Sequence, residues 1–483
     1  MKTVAIIGGG FSGTLTAINL SRLSHQPLRV VLINTTHPLG RGVAYGTKRS
    51  EHLLNVAARN MSAVPDHPDH FMEWLRTRTD YVDLPEAELR ESFIPRCIYG
   101  DYIRSILLGY LDPIDEHHLV EIEMIEDEAI DVVVENEDSV EVLLSNGDSI
   151  QANRVLLATG NQPPAPMPSK EPDFEHAAYC DNPWSNWAAK IPENDQPIVV
   201  LGTGLTMVDV FLTLMEKEWT GKIIAISRNG MIPQSHFCGI EYPDFLPEHP
   251  ENIGLENLVK LLEDHCQQLS EQGENPGIIV DRLRPYTQQI WQGFSLAEKQ
   301  QFMKKYAARW NVIRHRIAQS IHKKLTGKIS NGQVSIVKGT ITDVSAANEN
   351  VNVTICKLNG ETETISGGLV INCTGPKSGY SETTLPLFAN LLQRGLIRSD
   401  ELDMGIEVGP DFAVVDADGQ SSSFLYSMGP LMKGMLWETI AVPELRGQSM
   451  RVAQVLLDEV APEQIGKDFR FSVEEEHVIE YYI

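Results

Sequence analysis

Cationic charge is scarce in this chain of 483 residues: 40 Lys and Arg stand against 66 Asp and Glu, a formal net charge of −26. Such a surface repels nucleic-acid phosphates and anionic membranes, so neither is expected as a partner, although a local basic patch can still hold a small anion. Long apolar runs are missing, and no stretch approaches the roughly 18 residues that a membrane-spanning helix needs. The start of the chain has no signal-peptide layout, because Lys2 leads at once into a strand and a glycine turn; a cytoplasmic location is expected. The six cysteines (Cys97, Cys180, Cys238, Cys266, Cys356 and Cys373) include no Cys-x-x-Cys pair. Their scatter argues against a disulfide framework, a zinc site or a dithiol centre, and most of them read as buried free thiols. The histidines show no metal spacing, and no metal is expected. Asp66–His70 reads instead as a turn in which Asp69 caps a helix Phe71–Arg76.

The rest of the composition is that of a globular protein, 42 % hydrophobic and 22 % charged. At about 100–200 residues per domain the length allows two to four domains. The apolar run Thr3–Ile7 reads as a buried parallel strand, followed by Gly8-Gly9-Gly10-Phe11-Ser12-Gly13, an apolar-periodic helix and a second strand, Leu28–Ile33. Gly8 permits the tight turn, Gly10 lets backbone approach a pyrophosphate, and Gly13 lets the helix pack close to the strand. The helix start offers free N–H groups and a positive dipole end to phosphates. The strand–turn–helix–strand setting makes this a dinucleotide-binding unit. The acid that often ends the second strand to bond ribose is replaced by the uncharged Asn34.

A second unit follows. Pro197–Leu201 is another short strand, and Gly202-Thr203-Gly204-Leu205-Thr206-Met207 repeats the turn with Met207 at the third glycine position. A helix from about Met207 to Trp219 and a strand Lys222–Ile226 complete it. That strand ends in Ser227-Arg228, which suits a ribose 2′-phosphate better than a free 2′-hydroxyl and favours NADPH; the plainer reading makes Arg228 a surface residue. The halves match further: Asn146-Gly147-Asp148 and Asn359-Gly360-Glu361 mark hairpin turns, ahead of strands closing in Thr159-Gly160 and Thr374-Gly375. The fold class is thus α/β, with two Rossmann-like dinucleotide-binding domains, the second inserted into the first. The expected division is 1–194 and 376–483 for an FAD-binding domain and 195–375 for an NAD(P)-binding domain, with a helical insertion at about 240–330. FAD is the simplest occupant of the first site and NADPH of the second.

At this point the chain resembles the bacterial NAD(P)/FAD-binding proteins of the flavin monooxygenase-like superfamily. The resemblance rests on Val4–Gly13, Leu39–Tyr45, His52–Val56, Met61–Ala63, Ile94–Tyr102, Leu156–Gly160, Leu201–Asp209, Arg282–Thr287 and Met428–Gln448. It implies that the C-terminal segment returns to the flavin ring, with Gly429, Pro430, Trp437, Glu438 and Thr439 lining it and Arg41, Asn55 and Met61 on the flavin side. Pro430 stands where such proteins often carry an acid and has no N–H to donate. Core packing is the rival role for Trp437. Phe174–Tyr179 does not keep the spacing of the Baeyer–Villiger fingerprint, and that chemistry is not inferred.

Within the insertion, Ser295 and Glu298 form a capping box, and a long helix follows with Phe302, Tyr306, Trp310, Ile313 and Ile317 on one stripe, which reads as core. The same helix is basic in an acidic chain, with Lys304, Lys305, Arg309, Arg314, His315, Arg316, Lys323 and Lys324. They read as a solvated face or, through Arg314, as a site for NADPH phosphate or an anionic substrate beneath a helical roof. The expected activity is an FAD-dependent, NADPH-using oxidoreductase, foremost a monooxygenase hydroxylating a small organic substrate with O₂ through a flavin hydroperoxide. Glu438 and Lys433 are the candidate catalytic side chains. The alternatives are a reductase or oxidase for another acceptor and a non-catalytic FAD-binding redox sensor. Substrate and oligomeric state are not encoded in any motif.

Overall fold

A computed structural model describes residues 1–35, 38–111, 119–136, 138–171, 174–237 and 241–460. The acidic Glu474–Glu476, the terminal Tyr481–Ile483, Cys238 and the start of the insertion at Gly239 lie outside these residues.

Two parallel sheets organise the chain. The first runs, edge to edge, Ala413–Val415, Ser421–Ser427, Arg154–Leu157, Lys2–Ile7, Leu28–Asn34 and Val120–Glu126, with only the first of these antiparallel. The second runs Val334–Lys338, Ile223–Ser227, Ile198–Leu201, Leu369–Asn372 and Tyr179–Cys180, all parallel. The central strands are short runs of Val, Ile, Leu and Ala that helices cover on both faces, so they carry no polar alternation. Val4, Ala5 and Ile6 are fully buried, as are Ile198, Val199 and Val200.

Each sheet is built by the same chain order. A strand, a glycine turn, a helix and a strand come first, with helices Phe11–Leu23 and Leu205–Glu216. An edge strand follows, then an antiparallel three-stranded meander, 129–152 in the first unit and 340–367 in the second, then the strand ending in Thr-Gly or Cys-Thr-Gly. The two Asn-Gly turns are alike in detail. Gly147 and Gly360 have φ of +93° and +83°, and the Asn146 and Asn359 side chains accept from the backbone N–H two residues on. The second unit is inserted in the first, because 413–427 returns to the first sheet and the long helix Val442–Val460 packs on the first glycine helix. The outgoing and returning chains cross side by side: Pro164 and Pro376 form an antiparallel bridge, and Lys377 N donates to Pro163 O at 3.0 Å. Strand Tyr179–Cys180 pairs in the second sheet, although the division at 194 places it in the first part.

The insertion forms its own apolar cluster around Leu255, Leu283, Trp291, Phe302 and Trp310. The capping box is present, and Glu298 does double duty: its Oε2 accepts from Ser295 N at 2.9 Å and its Oε1 from Leu255 N at 2.9 Å, at the start of a neighbouring helix. The single long helix expected after it is three, Leu296–Lys305, Ala307–Arg314 and Gln319–Ser330. Tertiary contacts make the second break. Ile317 N donates to Gln234 O, and the Arg316 guanidinium is buried against Asp281, with Nη1–Oδ2 at 2.7 Å. The stripe splits accordingly: Phe302, Tyr306, Trp310 and Ile313 pack inside the insertion, whereas Ile317 joins the core of the second unit. Asp69 stands at the start of the helix His70–Arg76 without capping it, since its carboxylate accepts from Arg90 at 3.0 Å instead. The described cysteines are free thiols, and Cys180 and Cys373 are buried. Among the described residues there is no metal-holding cluster, and no helix is long and apolar enough to cross a membrane.

Candidate functional site

The two glycine turns are one structure made twice. Gly8 and Gly202 have φ of +116° and +111°, a region that L side chains avoid. A Cβ on either would stand 2.3 Å from a carbonyl oxygen, Ala158 O or Cys373 O. Their N–H groups donate to Ile33 O at 2.8 Å and Ile226 O at 2.7 Å. Gly10 and Gly204 start the two helices with φ, ψ of −78°, −163° and −84°, −162°, and neither helix start has a side-chain cap. Uncapped N–H groups and the positive end of the helix dipole are features that suit an anion at both turns. Gly13 is obligatory, because a Cβ there would lie 1.9 Å from Gly8 O; in the second unit Met207 fills the same position and is buried in the core.

The first unit fits a dinucleotide. The Thr159 hydroxyl and the Ser427 hydroxyl, at the ends of adjacent strands, are buried with no hydrogen-bond partner among the described residues, and Gly160 beyond Thr159 has φ +76° with no described atom within 4 Å of its Cβ position. Gly429 stands over the glycine helix, its Cβ position 3.4 Å from Ser12 Oγ. Asn34 lies against the turn, with its Cβ 2.7 Å from where a Gly9 Cβ would be. The other sequence-derived residues are less open. Phe11 is buried against Tyr45 and Tyr99. Met61 is 2 % exposed in the core. Arg41 pairs with Asp101, and Asn55 turns its carbonyl to His236 Nε2 at 2.8 Å.

In the second unit Gly204 is exposed, and Leu205 and Thr206 follow in the first helical turn. Ser227 Oγ accepts from Thr203 Oγ1 at 2.9 Å and from Gly230 N at 3.0 Å, which shapes the turn beyond the strand, and Arg228 is exposed.

The C-terminal segment is clamped under the helical insertion. Gly429 N donates to Gln448 Oε1 at 3.1 Å, Thr439 Oγ1 to Gly429 O at 3.0 Å, and Gln448 Nε2 to Thr439 Oγ1 at 2.8 Å. Pro430 opens a single 3₁₀ turn, Gly429–Met432. Trp437 has φ +61° and ψ −65°, and Glu438 N donates across it to Leu436 O at 2.7 Å. This is a γ-turn of the strained hand, and a bulky residue there needs its surroundings to hold it. Trp291 stacks on Trp437 at 5.1 Å and Phe302 meets it edge-on at 5.1 Å, so Trp437 is core, while its indole Nε1 is buried with no partner among the described residues.

Glu438 is 4 % exposed; Trp310 Nε1 donates to it at 3.0 Å and Arg314 lies 3.7 Å away. Lys433 Nζ sits 5.5 Å from the Trp437 ring centre, and burial holds its pKa below the ordinary value, against the pull of Glu438. Arg314 is neither solvated nor open to a phosphate: it is buried between Glu438 and Glu444, and Glu444 also takes both arms of Arg284 at 2.9 and 3.0 Å. Burial raises and the two arginines lower the Glu444 pKa, with a net shift downward.

One constellation escaped the sequence reading. Asp209, in the second glycine helix, is 6 % exposed and accepts from Arg96 Nη1 of the first unit at 2.7 Å. His52 Nε2 lies 2.9 Å from Thr213 Oγ1 and 3.2 Å from Asp209 O, and Thr47 Oγ1 lies 3.1 Å from His52 Nδ1. Burial holds His52 below the ordinary histidine range, opposed by Asp209. A cavity of about 150 Å³ beside these residues is lined by Arg49, Trp184 and Thr206 among others. The one signal was an acid, Asp209, inside the apolar run Met207–Leu212.

The comparisons agree with this architecture. A family model described as FAD-NAD(P)-binding matches residues 5–162. An uncharacterised protein of Mycobacterium tuberculosis (strain ATCC 25618 / H37Rv) is 20 % identical over 524 residues, covering 95 % of this chain and 96 % of its own. Among solved structures, the ornithine N-hydroxylase of Kutzneria sp. 744 is similar with a TM-score of 0.64 at 13 % identity, over 95 % of this chain and 99 % of that one. The L-lysine 6-monooxygenase of Pseudomonas syringae gives 0.64 at 15 %, with the same coverage. The chain therefore has the fold of the two-dinucleotide-domain flavoproteins, with an FAD–NAD(P)-binding segment at its start.

Proposed function

We propose that the protein is an FAD-dependent, NADPH-using oxidoreductase of the monooxygenase kind, acting with O₂ on a small organic molecule. The observation that carries this reading is the duplication of an uncapped, glycine-walled helix start in two units joined by a paired crossing. FAD, when bound, supplies the hydride acceptance and oxygen chemistry. The chain's residues bind and position. Gly8, Gly10, Ser12, Gly13, Thr159 and Gly160 hold the FAD phosphates and ribityl side, and Gly202, Gly204, Leu205 and Thr206 those of NADPH. The Gly429–Thr439–Gln448 network shapes the C-terminal turn over Ser12. Glu438 and Lys433, both held inside the protein, act as positioning groups around Trp437. The helical insertion covers this segment and excludes water.

The two solved relatives act, by their names, on ornithine and lysine, and a third similar structure is a cadaverine monooxygenase at TM-score 0.57. Primary amines are therefore the first substrates to test. Purified protein should be yellow and should bleach with NADPH under anaerobic conditions. Re-admitted O₂ should then couple NADPH use to a hydroxylated product for the right substrate. Bleaching with stoichiometric H₂O₂ and no product for any amine would make it an oxidase. Bound flavin that NADPH never reduces would make it a sensor.

A further inference from the structure

The internal repeat allows the two units to be compared residue by residue where they meet a ribose. Gly8 N bonds Ile33 O and Gly202 N bonds Ile226 O, so Asn34 and Ser227 occupy the same position. In the first sheet Asn34 is in register with Glu126 of the edge strand; in the second, Ser227 is in register with Lys338. Registered residues of parallel neighbours project from the same face. Asn34 and Ser227 both face their glycine turns, so Glu126 and Lys338 flank the same sides. Lys338 also lies against the turn that follows its neighbour strand, with its Cβ 3.4 Å from the Gly230 Cβ position.

The two positions carry opposite charge. Glu126, Lys338 and Arg228 are all exposed, and none makes an ion pair or side-chain hydrogen bond with the described residues. In a chain with 66 acids and 40 bases, two cations without ion pairs among the described residues, Lys338 ending the edge strand and Arg228 just beyond the end of the strand beside it, are a local exception.

We propose that these edge-strand residues sort the two nucleotides by charge. Lys338, with Arg228, receives a 2′-phosphorylated adenosine in the second unit, and Glu126 receives a ribose with a free 2′-hydroxyl in the first and rejects the phosphorylated one. Two cations at a phosphate give charge-assisted bonds, and a carboxylate in the same place accepts from a hydroxyl and repels a phosphate. Glu126 thereby supplies the acid absent at Asn34. The inference rests on the dinucleotide reading above and extends it to a residue on a neighbouring strand.

The test uses flavin-loaded protein, so that only the second unit is open. Titration calorimetry at fixed salt compares adenosine 2′,5′-bisphosphate with adenosine 5′-monophosphate. The bisphosphate should bind at least about tenfold tighter, and Lys338→Gln and Arg228→Gln should each lower that ratio roughly five- to tenfold while leaving monophosphate binding unchanged. A ratio unmoved by Lys338→Gln overturns its role. Equal binding of both nucleotides by the unaltered protein overturns the sorting and the preference for NADPH but leaves the flavin-dependent oxidoreductase reading intact, whereas no binding of either overturns both. For the first unit, Glu126→Gln should release FAD severalfold faster in dilution experiments; an unchanged release rate removes Glu126 from the scheme.

Discussion

Replacing Asp209 by Ala tests how the two units are held together. Asp209 and Arg96 are 8 % and 14 % exposed at their side chains and meet at 2.7 Å across the unit interface. Removing one partner of a buried pair costs about 3–5 kcal/mol, because the remaining charge stays desolvated. Two features reduce the cost here. Arg96 keeps a bond from Nε to Leu53 O at 3.0 Å. A void of about 10 Å³ beside the pair, also lined by Asn55, is at the lower limit for one water. The expected loss is therefore about 2–3 kcal/mol for Asp209→Ala. It should be about 1 kcal/mol for Asp209→Asn, whose amide oxygen still accepts. Arg96→Met in the Asp209→Ala background should recover at least about 1 kcal/mol, since no charge is then stranded. Urea unfolding with separate far-UV and tryptophan signals measures the unaltered protein, the single variants Asp209→Ala, Asp209→Asn and Arg96→Met, and the double variant. In Asp209→Ala the two signals should part as the units separate before they unfold. A loss below about 0.5 kcal/mol, or a double variant as weak as the sum of the singles, refutes the reasoning.

Other substitutions follow from single observations. Gly13→Ala puts a Cβ 1.9 Å from Gly8 O, so it should abolish flavin retention, read as absorbance near the flavin band per protein, whereas Gly109→Ala, with open space at its Cβ position, should not. Trp437→Phe keeps the packing on Trp291 and removes a buried, unpartnered indole N–H. The lost ring area offsets the relief of the unpaired N–H, so stability in urea should change by less than about 1 kcal/mol, and a loss above about 2 kcal/mol would mean that packing outweighs that relief. Acid should loosen the interface through His52 and His236, both held by burial below the ordinary value of 6.5. The unfolded chain then binds more protons between those lowered values and 6.5, so stability rises with pH across that window and is lost as pH falls through it. Thermal unfolding between pH 5 and 7.5 should show this slope, and His52→Gln should flatten it. Glu444, held below the ordinary carboxylate value, adds its loss only at lower pH.

The glycine turns, their strands and the repeat were legible from residue order alone, because each is a local arrangement. A Cβ at Gly13 collides with Gly8 O inside a single strand–turn–helix unit, and the Asn-Gly turns are satisfied by their own side chains. The capping box was legible for the same reason. Local patterns failed where a distant partner decided the outcome. The helical stripe through Ile317 breaks because Gln234 and Asp281 capture the backbone and guanidinium next to it. Arg314 looked like a surface cation until Glu438 and Glu444 enclosed it. Asp209 found Arg96 at a sequence separation of 113, and Glu126 and Lys338 acquired their places only through strand register. Short-range sterics and hydrogen bonds are written in neighbouring residues, whereas burial of charge and register between strands exist only once the chain has closed on itself.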